Sequence, residues 1–190
     1  MKILCIGAHP DDVELSMSGS IIRMLKAGHD VSLLDLSNGE PTPFGSIETR
    51  KNESMSAARI LGVRRIELDF PNRYIFDSVD GRKKIAFIIR QVRPEWIFTH
   101  FEFDSHPDHT EACKLTEGAR FFSKLTNSDI GGEPFYPKKI IYYFPNHIKL
   151  DIQPSFCVDI DEFADTKKKI LECYQSQFIK NGNGKVIDDC

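Results

Sequence analysis

The chain has 190 residues, 41% of them hydrophobic and 28% charged, with a formal net charge of −3. That length suits one domain, expected over residues 1–190, with a substantial buried core. The charge balance leaves no basic footprint for nucleic acid, and no apolar run reaches the roughly 18 residues of a membrane span, so neither partner is expected.

The first residues, MKILCIGA, enter a strand without a charged leader and cleavage site, which is the pattern of a cytoplasmic protein. ILCIGA is continuously apolar, as in a strand buried on both faces. Val13, Leu15, Ile21, Ile22, Met24 and Leu25 then predict a helix from about Asp12 to Lys26, stopped by Gly28. VSLLDLS is a second strand, SNGEPTPFGS a loop, and Glu48 to Leu61 a second helix capped by Gly62. RRIELDF reads as a third strand, and Arg82 to Val92 as a third helix that Pro94 ends. EWIFTH is a fourth strand, and FEFDSHPDHTE leads into a helix of roughly Asp108 to Lys124. KKIIYYF and SFCVDI predict later strands, and Asp161 to Gln177 a final helix. The five cysteines, Cys5, Cys113, Cys157, Cys173 and Cys190, are odd in number and contain no C-x-x-C. That spacing fits neither a disulfide framework nor a thiolate zinc site; most are expected to be buried small hydrophobes, with Cys190 exposed.

Strand–helix alternation with short linkers implies an α/β fold whose mostly parallel sheet is covered on both faces. In such sheets ligands bind beyond the carboxyl ends of the strands. Those ends fall after Gly7, Ser37, Phe70 and His100, and the loops there are AHPDD, NGEPTP, PNR and DSHPDH.

Two of these loops carry metal-binding chemistry. His9 and Asp12 stand three positions apart across the first turn of a helix, so an imidazole and a carboxylate converge on one side. Pro10 suits that turn because its missing N–H costs nothing there. Asp11 is rotated roughly 100° from its neighbour, which puts it beside a metal, where a base would stand. The plainer alternative is an N-capping aspartate and a loop histidine. His106 and His109 repeat the three-residue spacing after the fourth strand. If the ends of strands one and four are neighbours, His109 completes a three-ligand set and leaves a fourth position open. His106 then stands beside the metal, with Asp108 able to hold its tautomer. His100 is a candidate support for the site, and His147 a loop residue within reach of a substrate.

AHPDDVE near the N-terminus, with HPDH about a hundred residues later, resembles the PIG-L/LmbE-like zinc-dependent N-deacetylases. The resemblance continues through SNGE, ETRKNESMSAARILGV, FPNR, YYFPNH, SFCVDI and YQSQF. It implies a Rossmann-like three-layer αβα fold and often a homo-oligomer. It also implies hydrolysis of the acetyl amide of an N-acetylated amino-sugar conjugate. By the same resemblance His9, Asp12 and His109 are zinc ligands, Asp11 the general base, and His106 the oxyanion-stabilising histidine. Arg50 and Arg73 fall where the family places substrate contacts, and Glu14 where it supports the ligand shell. Two histidines and a carboxylate also suit iron(II). The amine's proton could come from Asp11 or His106. LSMSGS departs from the glycine-rich stretch usual in the family, keeping Gly19 alone, and the family generally extends past the SQF element, so a substrate-facing segment is absent or diverged. Two rival readings are a nucleotide-binding domain, which lacks its G-x-G-x-x-G, and a non-catalytic zinc- or carbohydrate-binding protein.

Overall fold

A computed structural model describes residues 1–180, 182 and 184–188 of the chain, so Cys190 lies outside the described residues. Strand β1 is Lys2–Gly7, followed by helix α1 at Asp12–Lys26 and β2 at Asp30–Asp35. Helix α2 is Ile47–Leu61, β3 Arg64–Glu67 and α3 Val79–Val92. Strand β4 is Trp96–His100, α4 Pro107–Ser123 and β5 Lys139–Tyr143. The strands pair in the order β3-β2-β1-β4-β5, every pair parallel. This is the expected Rossmann-like arrangement, with helices on both faces of the sheet.

Side chains alternate across a strand, so β1 and β2 feed two cores. Ile3, Cys5, Val31 and Leu33 pack with α1, α2 and a helix at Ala164–Leu171 (α5). Leu4, Ile6 and Leu34 pack with α3 and α4 on the other side. Each such side chain contributes about 1.5–3 kcal/mol when removed from water, which is why the most apolar strands take the centre. The more polar β3 and β5 lie at the edges, half-exposed. Among the described residues no helix is long and apolar enough to cross a membrane.

Local signals set most boundaries. Ser46 accepts the Thr49 N–H to start α2, and Gly62 ends it at φ 73°. Helix α3 begins three residues before Arg82 because Ser78 accepts the Gly81 N–H. Gly19, kept from the family's glycine-rich stretch, lets α1 approach the C-terminal segment: a Cβ there would stand 2.8 Å from Ile160. Ser16 accepts from Asn146, while Ser18 is fully buried with its hydroxyl unpartnered.

Three expectations fail. SFCVDI forms no strand: the segment crosses instead to α1, where Ile160 packs on Gly19 and Arg23 Nε donates to the Asp159 carbonyl. The expected final helix is broken. A 3-10 turn at Asp161–Phe163 precedes α5, and a π-helical turn occupies Gln175–Ile179. Tyr174 donates its hydroxyl to Glu14, and Ser176 gives both its N–H and its hydroxyl to Glu53 of α2, which draws the chain off the helical track. Of the cysteines, Cys5 and Cys113 are buried, but Cys157 is exposed and Cys173 half-buried; these four are free thiols.

Candidate metal centre

Strands β1 and β4 lie side by side, with Cys5 opposite Phe98. Their carboxyl ends therefore open together where the strand order reverses, the usual ligand crevice of an open α/β sheet. AHPDD and DSHPDH meet there, around an open cleft of about 470 Å³.

Backbone geometry decides what the two aspartates do. Asp11 has φ 106° and makes no side-chain capping bond. Such a conformation costs a non-glycine residue about 1–3 kcal/mol, and it turns the side chain away from the helix end. Arg50 Nη1 donates to Asp11 Oδ2 at 3.1 Å, and its Nη2 donates to the Pro10 carbonyl at 2.6 Å. Gly39 makes room for this guanidinium, since a Cβ there would lie 2.6 Å from Nη2. Asp12 Oδ2 accepts the His9 backbone N–H at 2.8 Å, so its carboxylate is anchored facing the two histidines.

Each histidine is held from behind by its own carboxylate. His9 Nε2 bonds Asp108 Oδ2 at 3.0 Å, leaving Nδ1 3.4 Å from Asp12 Oδ2. His109 Nδ1 bonds Asp104 Oδ2 at 2.9 Å, leaving Nε2 3.3 Å from Asp12 Oδ1. Carboxylates placed this way fix the tautomer and turn the free nitrogen inward. Asp108 is itself held by the backbone N–H groups of Arg73 and Ile75, and Asp104 by that of His106.

The donor set suits a divalent ion. At zinc–ligand lengths of about 2.0–2.1 Å, two donors of a tetrahedral ion stand about 3.3–3.4 Å apart; His9 Nδ1 lies at that distance from Asp12 Oδ2, and His109 Nε2 from the other oxygen, Oδ1. His9, His106 and His109 also bring ring nitrogens within 4.8 Å of one another, as do His100 and His109 with an Asp12 oxygen. In two of these imidazoles the lone pair of a neutral ring is already taken by a backbone N–H. His100 Nε2 accepts the Ala8 N–H at 3.0 Å, and His106 Nδ1 accepts the Asp108 N–H at 3.2 Å as the cap of α4. A neutral His106 then carries its proton on Nε2, and it lines the cleft.

The charges agree. Burial would lower His9 and His109, but Asp12 with Asp108 raises His9 to about 9, and Asp12 with Asp104 raises His109 to about 10. The anionic field that does this equally favours a bound cation. Burial lowers His106, aided by His109 and His9, and takes His100 down to about 4. Burial outweighs Arg50 at Asp11 and lifts it to about 6, close to where a general base works at neutral pH.

Of the residues singled out from sequence, His9, Asp11, Asp12, His106 and His109 all line the cleft. Asp108 holds His9 rather than the expected His106. Arg50, expected against substrate, is 2% exposed and lies behind Asp11. Arg73 is exposed, and its guanidinium reaches the Pro41 carbonyl. Glu14 does not reach the inward-facing donors: it is buried with Arg65, Asp35 and Tyr174 beneath the site. Sequence reading missed Asp104 and Gln177. Each carries a signal: an acid shortly before HPDH for the first, and a place in the YQSQF stretch of the resemblance for the second.

A family profile described as PIG-L: GlcNAc-PI de-N-acetylase matches residues 4–119. The diacetylchitobiose deacetylase of Thermococcus kodakarensis is 31% identical over 193 residues, covering 93% of this chain and 70% of that protein. The 4-oxalmesaconate hydratase of Pseudomonas putida is 25% identical over 189 residues, covering 92% of this chain and 73% of its own. Among solved structures, the conserved protein TT1542 from Thermus thermophilus superposes with a TM-score of 0.90 at 35% identity, covering 98% of this chain and 83% of the other.

Proposed function

The chain belongs to the PIG-L family, and from that premise we propose that it is a zinc-dependent N-deacetylase of an N-acetylated amino-sugar conjugate. The observation that carries this is the pair of histidines, each backed by a carboxylate and turning its other nitrogen to within 3.4 Å of an Asp12 oxygen, with Asp11 beside them. His9 Nδ1, Asp12 and His109 Nε2 would hold the metal. His100 and His106 are left out because a backbone N–H takes the one lone pair of each neutral ring, whereas the engaged nitrogens of His9 and His109 face carboxylates and leave the other lone pair free. When bound, zinc supplies Lewis-acid character, polarising an amide carbonyl and acidifying water.

The chain's own residues do the rest. Asp11 accepts the proton of the attacking water as the new C–O bond forms at the acetyl carbon. His106 Nε2–H donates to the developing oxyanion, an interaction whose loss costs about 10²–10³ in rate at comparable sites. The neutral imidazole suffices for this, because a donor and not a charge is required. The C–N bond then breaks, the amine leaves with the proton that Asp11 took from the water, and acetate remains. Arg50 holds Asp11 in place and keeps its carboxyl from rising further.

Zinc-loaded protein would be incubated with a panel of N-acetylglucosamine conjugates, and with a conjugated enol acid as the hydratase control. Amine release is expected from at least one conjugate and is abolished by chelation. Asp11→Ala should retain zinc and lose turnover, while His109→Ala loses both. A fully active Asp11→Ala protein, or hydration of the enol acid without any amine release, overturns the reading.

A further inference from the structure

We propose that Gln177 is a specificity-determining residue of the cleft, its Oε1 accepting a hydrogen bond from a donor adjoining the scissile acetamide. That donor is either the neighbouring ring hydroxyl or the amide's own N–H. The proposal rests on the deacetylation reading, and it concerns a residue outside the stretch matched to the family.

Gln177 sits on the π-helical turn Gln175–Ile179 and lines the cleft with His9, Asp11, Asp12 and His106. Its amide orientation follows from the surrounding hydrogen bonds. Nε2 lies 2.8 Å from Ser176 Oγ and 3.2 Å from Thr42 Oγ1. The Ser176 hydroxyl gives its proton to Glu53 Oε2 at 2.7 Å, and the Thr42 hydroxyl gives its own to Glu40 Oε1 at 2.7 Å. Each hydroxyl has one proton, so both can only accept from Gln177. The atom facing them must be nitrogen, and both amide hydrogens are spent there. Oε1 is therefore turned outward as an acceptor, and among the described residues no protein donor reaches it.

The carboxylates that impose this are themselves fixed. Glu53 takes the Ser176 N–H at 2.8 Å as well as the hydroxyl, and Glu40 takes the Thr42 N–H at 2.7 Å. Glu40 also lies 4.0 Å from Arg50 Nε, which joins this chain of contacts to the residue holding Asp11. An acceptor with both of its donors committed selects for a substrate donor and against a substrate acceptor at the same place. An N-acetylated amino sugar offers two such donors beside the reacting carbon.

The test uses the zinc-loaded full chain and three compounds: the methyl glycoside of N-acetylglucosamine, its 3-deoxy analogue and its N-methylacetamide analogue. kcat/KM and the calorimetric Kd are measured for the wild type, Gln177→Leu and Gln177→Met. The wild type should prefer the parent glycoside over one analogue by about tenfold, the worth of one neutral hydrogen bond. The analogue disfavoured identifies the donor. Both variants should lose that factor on the parent and treat parent and analogue alike. A role confined to folding would instead lower all three compounds together and lower Tm, which overturns the proposal, as does discrimination that survives in the variants. If the wild type binds the sugars but releases no amine, the deacetylation reading fails while the Kd ratios still decide Gln177. Failure to bind any of the three overturns both.

Discussion

Arg50 separates two accounts of this site, one in which it contacts substrate and one in which it acts through Asp11. Its side chain is 2% exposed and that of Asp11 16%, with 3.1 Å between Nη1 and Oδ2. Unit charges about 4 Å apart interact by ~4 kcal/mol at an effective dielectric near 20, equivalent to ~3 pKa units. Water entering the space vacated by Arg50→Met offsets part of this, so a rise of roughly one to two units is expected. Burial already holds Asp11 at about 6 against the pull of Arg50. The base works only when deprotonated, so activity falls as pH drops through its pKa. Removing Arg50 therefore moves the acid limb of kcat/KM upward by that roughly one to two units. The assay is a kcat/KM profile over about pH 5–9, with thermal melts at each pH to confirm folding. Arg50→Lys keeps the charge but not the fork reaching both Asp11 and Pro10, and should give a smaller shift. An unmoved acid limb, with the loss confined to KM, would refute this reasoning and return Arg50 to the substrate.

Other perturbations probe the surrounding structure. Asp104→Asn and Asp108→Asn should each weaken zinc binding by about 10–100-fold, measured by chelator competition, because each releases a different histidine. Arg65→Met leaves Glu14 and Asp35 buried without their cation; urea unfolding should show a loss of about 3–5 kcal/mol. Gly19→Ala drives a methyl into Ile160 and should cost about 1–3 kcal/mol, most of it recovered in the double variant with Ile160→Ala. His106→Ala should lower kcat by about 10²–10³ while zinc stoichiometry is unchanged, whereas loss of the metal would mean that His106 is a ligand.

Helix and strand periods read well from sequence where one element decides its own fate. The span of α1 matches expectation, and α2 starts one residue earlier than expected and ends as expected, because their apolar spacing and terminal glycines act within a few residues. The His9–Asp12 and His106–His109 spacings named residues that do meet, but not on a shared helical turn: α1 begins only at Asp12 after Asp11 at φ 106°, and His106 is the cap that precedes α4. SFCVDI reads as a strand and is not one, because its contacts are with α1 rather than with the sheet, Ile160 packing on Gly19 and the Asp159 carbonyl accepting from Arg23.

Sequence alone thus determined the αβ alternation, the strand ends at which a ligand would bind, and the residue types gathered there. Tertiary structure decided who partners whom. Asp108 belongs to His9 across 99 positions, and Gln177 reaches the cleft through Thr42 across 135. Arg50 faces Asp11 only because β2 and β1 pair in register and Gly39 leaves space for a guanidinium. Hydrogen bonds are short and directional, so their partners are chosen by where the sheet register and the helix packing bring atoms to within about 3 Å, which no local pattern encodes.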